Sequence, residues 1–439
     1  MTSLERMKVQ NRPNSDRIVV ESLLAQVWLS LIVAPVTAHV AEWEQARMTL
    51  SFKSTIGRLM GMAGLGAVLA ACSPTIDSVT SDFASPTAIW RSQRADPHDV
   101  RILVASTRKL DSKGRMTGDI GPEPTYFSTS VSVPPGHRAG IIERPSITSE
   151  NKSRHFVLGA QRPMEAENFR SVLATTLSGR VGVSRDVLIF VHGFNTSYDE
   201  ARYRLAQVVE DAQFSGVPVL FTWPSQRELF AYVTDKDSAT ASRDTLERLM
   251  RDVAATPGVG RVHVLAHSMG TWLAMEALRQ NAIGGQADLG GRLGEIMLAS
   301  PDIGLDVFRG QMARLGNVTR VSVFAASDDK ALSISGALAG SRTRVGALDL
   351  NNSEHRAEIA RLGVRVYDLS KMSVQDIFKH GNYAEAPQIV GMIGAQLAEP
   401  KFEDRQANGF VDDDAVNAAK APRPGIAPVT SESLPPPPQ

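Results

Sequence analysis

The chain is almost without cysteine: one, Cys72, occurs in 439 residues. A single thiol excludes an internal disulfide framework and any metal site built from several cysteines, and it needs an explanation of its own. An excess of charge is also missing. Forty-seven Lys and Arg balance 47 Asp and Glu, for a net charge of +0, and the few basic clusters carry no interleaved aromatics. That excludes the electrostatic footprint of a nucleic-acid binder. There is no internal repeat, which removes solenoid architectures. Glycine (34) and proline (24) stand near ordinary use, so most of the chain is expected to be globular. With 43% hydrophobic residues, its length suffices for one large domain or two ordinary ones.

The lone cysteine ends an address. Residues 48–75 read "MTLSFKSTIGRLMGMAGLGAVLAACSPT". Lys53 and Arg58 make a short basic region, and 59–71 form an apolar run too short to span a bilayer comfortably. Residues 69–72, "LAAC", close it. Basic, apolar and small residues in that order mark a secretory signal. Its end resembles a bacterial lipobox, which implies that Cys72 is lipidated and that Ser73 directs the protein to the outer membrane. The alternative is a buried cysteine at the end of a core helix. Residues 1–47 fit this signal poorly and are expected to be an upstream extension of the reading frame. Their own apolar run, interrupted by Gln26, Pro35 and His39, is otherwise a weak membrane segment. The expected organisation is therefore extension (1–47), signal (48–72), linker (73–96), folded domain (97–400) and a proline-rich disordered tail (401–439).

Between the ends, strand and helix alternate. "DVLIFVHGF" (186–194), "VPVLFTWPS", "RVHVLAHS", "EIMLASPD", "NVTRVSVFAASDD" and "GVRVYDLS" are strand-length apolar runs. Helical spacing appears in "RYRLAQVVEDAQF" (202–214), "ASRDTLERLMRDVAA", 270–282 and "APQIVGMIGAQLA". Strands apolar throughout are buried on both faces, so the expected fold class is α/β, a mostly parallel central sheet with helices on both faces. The shorter pieces "DVRILVAST", "YFSTSVSVPPG" and "RHFVLGAQ" are placed as first, antiparallel strands of the same sheet. In such folds reactive residues gather at the carboxyl ends of the strands.

One serine sits where chemistry is expected. "HVLAHSMGTW" (263–272) puts Ser268 in a small-x-Ser-x-Gly frame between a predicted strand and a predicted helix. That context makes a nucleophile elbow, a sharp turn that lifts a hydroxyl above the sheet. The flanking residues, Ala266 and Gly270, must be small where two backbones meet. A hydroxyl needs a base, and in an elbow architecture the acid and then the histidine follow the serine. His380, in "FKHGNY", follows the last strand and is the candidate base, whereas His355 lies in a polar helix start and is read as solvated. "VFAASDDKAL" places Asp329 as the candidate acid, with Asp328 in reserve. Asp302 is a third option, more simply a capping or loop aspartate. Two backbone donors for an oxyanion are expected at Met269 and at Phe194, the latter in "VHGFN". Around them, His192, Gly193, Asn195, His267, Trp223 and Ser225 are candidates to line a substrate pocket. His192 precedes the serine and is read as shaping its loop, and Trp223 is equally an ordinary buried tryptophan. The stretch "QRELFAYVTDKDS" is a candidate mobile cover.

These pieces, "VHGFN", "FTWPS", "LAHSMG", "SDDKAL" and "KHGNY", occur in an order that resembles the α/β-hydrolase superfamily. The resemblance is greatest to a bacterial branch of uncharacterised, often secreted or lipid-anchored, hydrolase-domain proteins. It covers about 97–400 and includes "STRK" (106–109). Ala266 departs from the usual glycine at the first elbow position. The resemblance implies a serine hydrolase acting on a small-molecule or lipid acyl substrate. It would need no metal or organic cofactor and no nucleic-acid partner, and it would be held at the membrane of the bacterial envelope by a lipid anchor. It implies no particular substrate. Two other classes stay open: a catalytically idle hydrolase fold serving as an envelope binding module, and a scaffold acting through the proline-rich tail.

Overall fold

The computed structural model describes residues 96–145, 149–226, 231–316, 320–338, 342–370 and 382–398. Cys72, His380, the signal, the upstream extension, nearly all of the linker and the tail lie outside the described residues. The chain divides into two units, 1–81 and 82–439, and every described residue belongs to the second.

Two long strands, β1 (His98–Leu110) and β2 (Met116–Val133), open the fold as an antiparallel hairpin. Asp111 closes it, its carboxylate accepting from the amides of Lys113 and Arg115, both at 2.9 Å. Short strands β3 (Val157–Leu158) and β4 (Arg162–Met164) pair with β2, and α1 (Ala166–Leu177) follows. The alternating part then runs β5 (Val187–Val191), α2 (Tyr198–Asp211), β6 (Val217–Thr222), α3 (Tyr232–Ala241), α4 (Arg243–Ala255) and β7 (Val262–His267). It continues with α5 (Met269–Ile283), β8 (Leu293–Ala299), α6 (Leu305–Leu315), β9 (Arg320–Ala325) and α7 (Lys330–Leu338). Last come α8 (Ser353–Leu362), β10 (Arg365–Asp368), α9 (Asn382–Glu385) and α10 (Pro387–Ala398).

The strands form one sheet in the order β10-β9-β8-β7-β5-β6-β1-β2-β3. From β10 through β1 every neighbouring pair is parallel. The expectation of a mostly parallel sheet holds. The amino-terminal pieces differ in one respect: β1 is itself parallel to β6, and antiparallel pairing begins with β2. All five residues of β5 are buried and alternate between two cores. Val187, Ile189 and Val191 join α1, α4, α5, α6 and α8 on one face, while Leu188 and Phe190 join α2 and α10 on the other. Helix α2 begins at a capping box: Ser197 Oγ accepts from the Glu200 amide, and the Glu200 carboxylate accepts from the Ser197 amide. This puts the start of α2 four residues earlier than its apolar spacing indicates. The segment read as a mobile cover, 226–238, includes the first seven residues of α3, which packs on α5 with the Lys236 ammonium 4.5 Å from the Trp272 ring centroid. His355 has a structural role, its Nδ1 accepting from the Asp349 amide at 3.0 Å.

The loop after β2 is tied to α2 by a buried charge cluster. His137, 1% exposed, directs Nε2 to Asp211 (2.7 Å) and Nδ1 to Glu143 (2.8 Å). Asp211 also accepts from the Gly140 amide at 2.8 Å and from Gln207 at 2.6 Å. Burial alone pulls the imidazole pKa down, but the hydrogen bonds to the two carboxylates outweigh it and hold His137 at about 9 against 6.5. Because the folded value lies above the unfolded one, the protonated cluster stabilises fully below about pH 6.5. That contribution, about 3 kcal/mol from the shift, fades as pH rises to about 9. Denaturant unfolding of the wild type is therefore expected to lose stability across this window. His137→Gln should lose that slope and be less stable at pH 6; equal slopes in the two proteins would refute the assignment.

Candidate active site

Ser268 stands between β7 and α5 with φ 52° and ψ −125°. Side chains other than glycine rarely adopt this conformation, and it persists only where surroundings over-determine it. Here the Ser268 amide donates to Ala299 O at 2.9 Å. Its carbonyl accepts from Thr271 Oγ1 (2.6 Å), the Thr271 amide (3.0 Å) and the Asp302 amide (3.4 Å). The frame residues are small because there is no room. A Cβ on Gly270 would strike the carbonyl oxygens of His192 and Val191, and one on Gly193 would lie 2.8 Å from Ser268 Cβ and from His267 Nδ1. Ala266 is fully buried within β7.

Sheet register makes this contact. Val191 of β5 pairs with Ala266 of β7, so two residues beyond each, Gly193 and Ser268 meet at the carboxyl rim. Here the strand order reverses, with β6 and β7 on opposite sides of β5. Such a switch point opens a crevice. Phe194 follows Gly193 in this turn, and Met269 opens α5, where amides lack intrahelical partners. Asn195 takes φ 55° in the same turn and is exposed, and His267 is half-buried.

Asp329 follows β9 on the same rim, two strands from β7, roughly 10 Å along the sheet. It is fully buried, and its carboxylate accepts from the Leu332 amide at 3.0 Å. Asp328 is exposed. Asp302 is already engaged: it accepts from Tyr232 Oη and Ser335 Oγ, both at 2.8 Å, and lies 3.1 Å from Arg344 Nε. Burial, then the Asp302 charge, raises the Tyr232 pKa above its ordinary value. The Tyr232 ring meets Phe194 edge-on at 5.7 Å. Sequence pattern gave no signal for this group, whose partners lie 33 to 112 residues apart.

Three pocket candidates are instead buried support. Trp223 has no exposed surface; it stacks on His192 at 5.2 Å and donates Nε1–H to the His192 carbonyl at 2.8 Å. Ser225 is buried and donates to Asp235 at 2.6 Å. His192 is 1% exposed, and burial, then the charge of Arg108, pushes its pKa down to about 3. It is therefore a neutral imidazole, and its position beneath the turn matches a loop-shaping residue rather than a pocket wall. A separate groove of about 1410 Å³ opens at the amino ends of the strands, lined by His98, Arg101, Glu210 and Val217 among others. It lies on the rim opposite Ser268. No group of three or more His, Cys, Asp or Glu suited to a metal ion occurs among the described residues, and no described helix is long and apolar enough to cross a membrane.

Among the solved structures that resemble the chain are an esterase of Pyrobaculum calidifontis (14% identity, 54% of this chain and 93% of that one, TM-score 0.29), a brefeldin A esterase described as a bacterial homologue of human hormone-sensitive lipase (13%, 72% and 82%, 0.34), and an esterase of Rhizomucor miehei (11%, 72% and 86%, 0.32). At such scores they carry no argument about function. No curated protein matches the chain. Residues 165–398, just over half of it, match the family described as alpha/beta hydrolase of unknown function (DUF900), and the chain, with its mostly parallel sheet and helices on both faces, belongs to that α/β-hydrolase family.

Proposed function

We propose that the protein is a serine hydrolase that cleaves an ester or other acyl bond through an acyl-enzyme. The observation that carries this reading is the strained, over-determined turn at Ser268, seated on the carboxyl rim against Gly193. Strain of this kind clusters at reactive sites. Ser268 Oγ attacks the acyl carbon while His380 takes its proton. Asp329 holds the imidazole in the required tautomer and balances its charge. The amides of Phe194 and Met269 hold the oxyanion. His380 returns the proton to the leaving group, and water, activated the same way, then releases the acyl group from Ser268. The acyl substrate is a small molecule or a lipid, and an ester is the first choice. Cys72 carries a lipid that anchors the enzyme in the bacterial envelope.

A fluorophosphonate probe should label the wild type, and Ser268→Ala should abolish the label. Equal labelling of both proteins sinks the nucleophile, and no labelling of either favours an idle fold used for binding. With p-nitrophenyl esters of graded chain length, Asp329→Asn is expected to lower kcat by about 100-fold or more, whereas Asp328→Asn should stay within about threefold; the reverse ranking would move the acid to Asp328.

In a bacterial host with a lipoprotein pathway, an alkyne fatty acid should label the wild type and the label should disappear in Cys72→Ser. Undiminished labelling of that variant would remove the anchor from the reading.

A further inference from the structure

Beneath the Gly193 turn lies a charged residue that the reaction outlined above does not use. Arg108, near the end of β1, is 3% exposed. Its guanidinium reaches three separate pieces of chain. Nε donates to Thr222 Oγ1 (2.8 Å), and Nη1 donates to Thr117 O (3.2 Å) and Ser225 O (3.4 Å). Nη2 donates to Thr196 O (2.9 Å) and to His192 Nε2 (3.3 Å). The Gly193 turn is thus held at both ends, through His192 before it and Thr196 after it.

The His192 contact fixes more than a position. A guanidinium only donates, so His192 Nε2 must accept. The Trp223 amide, 3.3 Å away, also donates to it. The imidazole proton therefore resides on Nδ1, which donates to the Gly193 carbonyl at 2.9 Å. The 193–194 peptide is trans, as no described peptide bond is cis, and in a trans peptide the C=O and the following N–H point in opposite directions. A Gly193 carbonyl drawn down onto the buried imidazole turns the Phe194 N–H away from it, out of the core.

The geometry points to Arg108 as a positioning residue for the Phe194 oxyanion donor, acting through the His192 tautomer and the orientation of the 193–194 peptide. This inference rests on the hydrolase reading above. A neutral His192 with the opposite tautomer would present a lone pair to the Gly193 carbonyl, and the repulsion would release the peptide to rotate. Removing Arg108 takes away the charge that disfavours a proton on Nε2 and frees the far end of the turn at Thr196.

The test is kinetic, with p-nitrophenyl butyrate and the full chain. Arg108→Gln should lower kcat on the order of 100-fold, the size of losing one oxyanion donor, with KM within about threefold. Affinity for a trifluoromethyl ketone, whose adduct carries an oxyanion, should fall with kcat. A folded variant that keeps wild-type kcat, or loses activity only through KM, overturns the inference. Where Arg108→Gln does not fold, His192 decides. His192→Asn carries an N–H donor at the position of Nδ1 and His192→Gln carries one at that of Nε2, so Asn should retain at least about tenfold more kcat. Equal loss in the two variants also overturns it. A wild type that the fluorophosphonate leaves unlabelled removes the hydrolase reading and this inference with it; a labelled wild type with an unaffected Arg108→Gln removes this inference alone.

Discussion

The site depends on one backbone conformation. Ser268 is held at φ 52° and ψ −125°, a state that costs about 1–3 kcal/mol for a residue with a side chain. It is held by three elements at once: β8 accepts its amide hydrogen, α5 donates to its carbonyl through Thr271, and the loop after β8 donates through Asp302. Relaxing the turn would break hydrogen bonds in all three. The glycines complete the constraint, because the β5 and β7 loops approach until any Cβ at 193 or 270 would collide with backbone or with Ser268 itself.

Such a turn needs a rigid base, which the two-sided core provides. Alternate residues of β5 enter opposite cores, so a one-residue slip would exchange every side chain between differently shaped faces. Register is thus fixed by packing far below the rim. The pairing of Val191 with Ala266 then carries that register upward to place Gly193 beside Ser268. The same alternation sends α2 to one face and α5 to the other, leaving the crevice between the loops that precede them.

These features differ in how far sequence reveals them. Fully buried strands announce themselves as apolar runs, and the small residues around Ser268 announce a tight turn, so the sheet and the elbow were legible. Exposure separates Asp329 from Asp328 only in the fold, since adjacent carboxylates share one local pattern. Trp223 and Ser225 follow a strand at the right rim, yet they turn inward, toward His192 and Asp235. Which way a side chain faces after a strand ends is set by tertiary contacts that periodicity does not encode. Arg108 is the extreme case. Nothing in the local pattern "STRK" signals its burial, which follows from acceptors 9 to 117 residues away. Helices α1 and α6 escaped because their apolar faces are narrow: α1 buries only Phe169, Leu173 and Leu177, and α6 only Phe308, Met312 and Leu315 among its apolar residues.

The charges near the turn follow the same inward logic. Arg344 lies against Asp302, both about 4% exposed. Arg108 donates to the Ser225 carbonyl, and Ser225 in turn donates to the buried carboxylate of Asp235, whose pKa burial raises. The imidazole beside Arg108 is kept neutral. Salt screens exposed charges within about 10 Å at 0.1 M but reaches buried ones far less. Arg108, Arg344 and Asp302 are thus locked into the fold near Ser268, beside the positive amino end of α5. These dipoles and charges are already oriented before any substrate arrives, and an oxyanion forming at the rim would meet them without first having to turn solvent around.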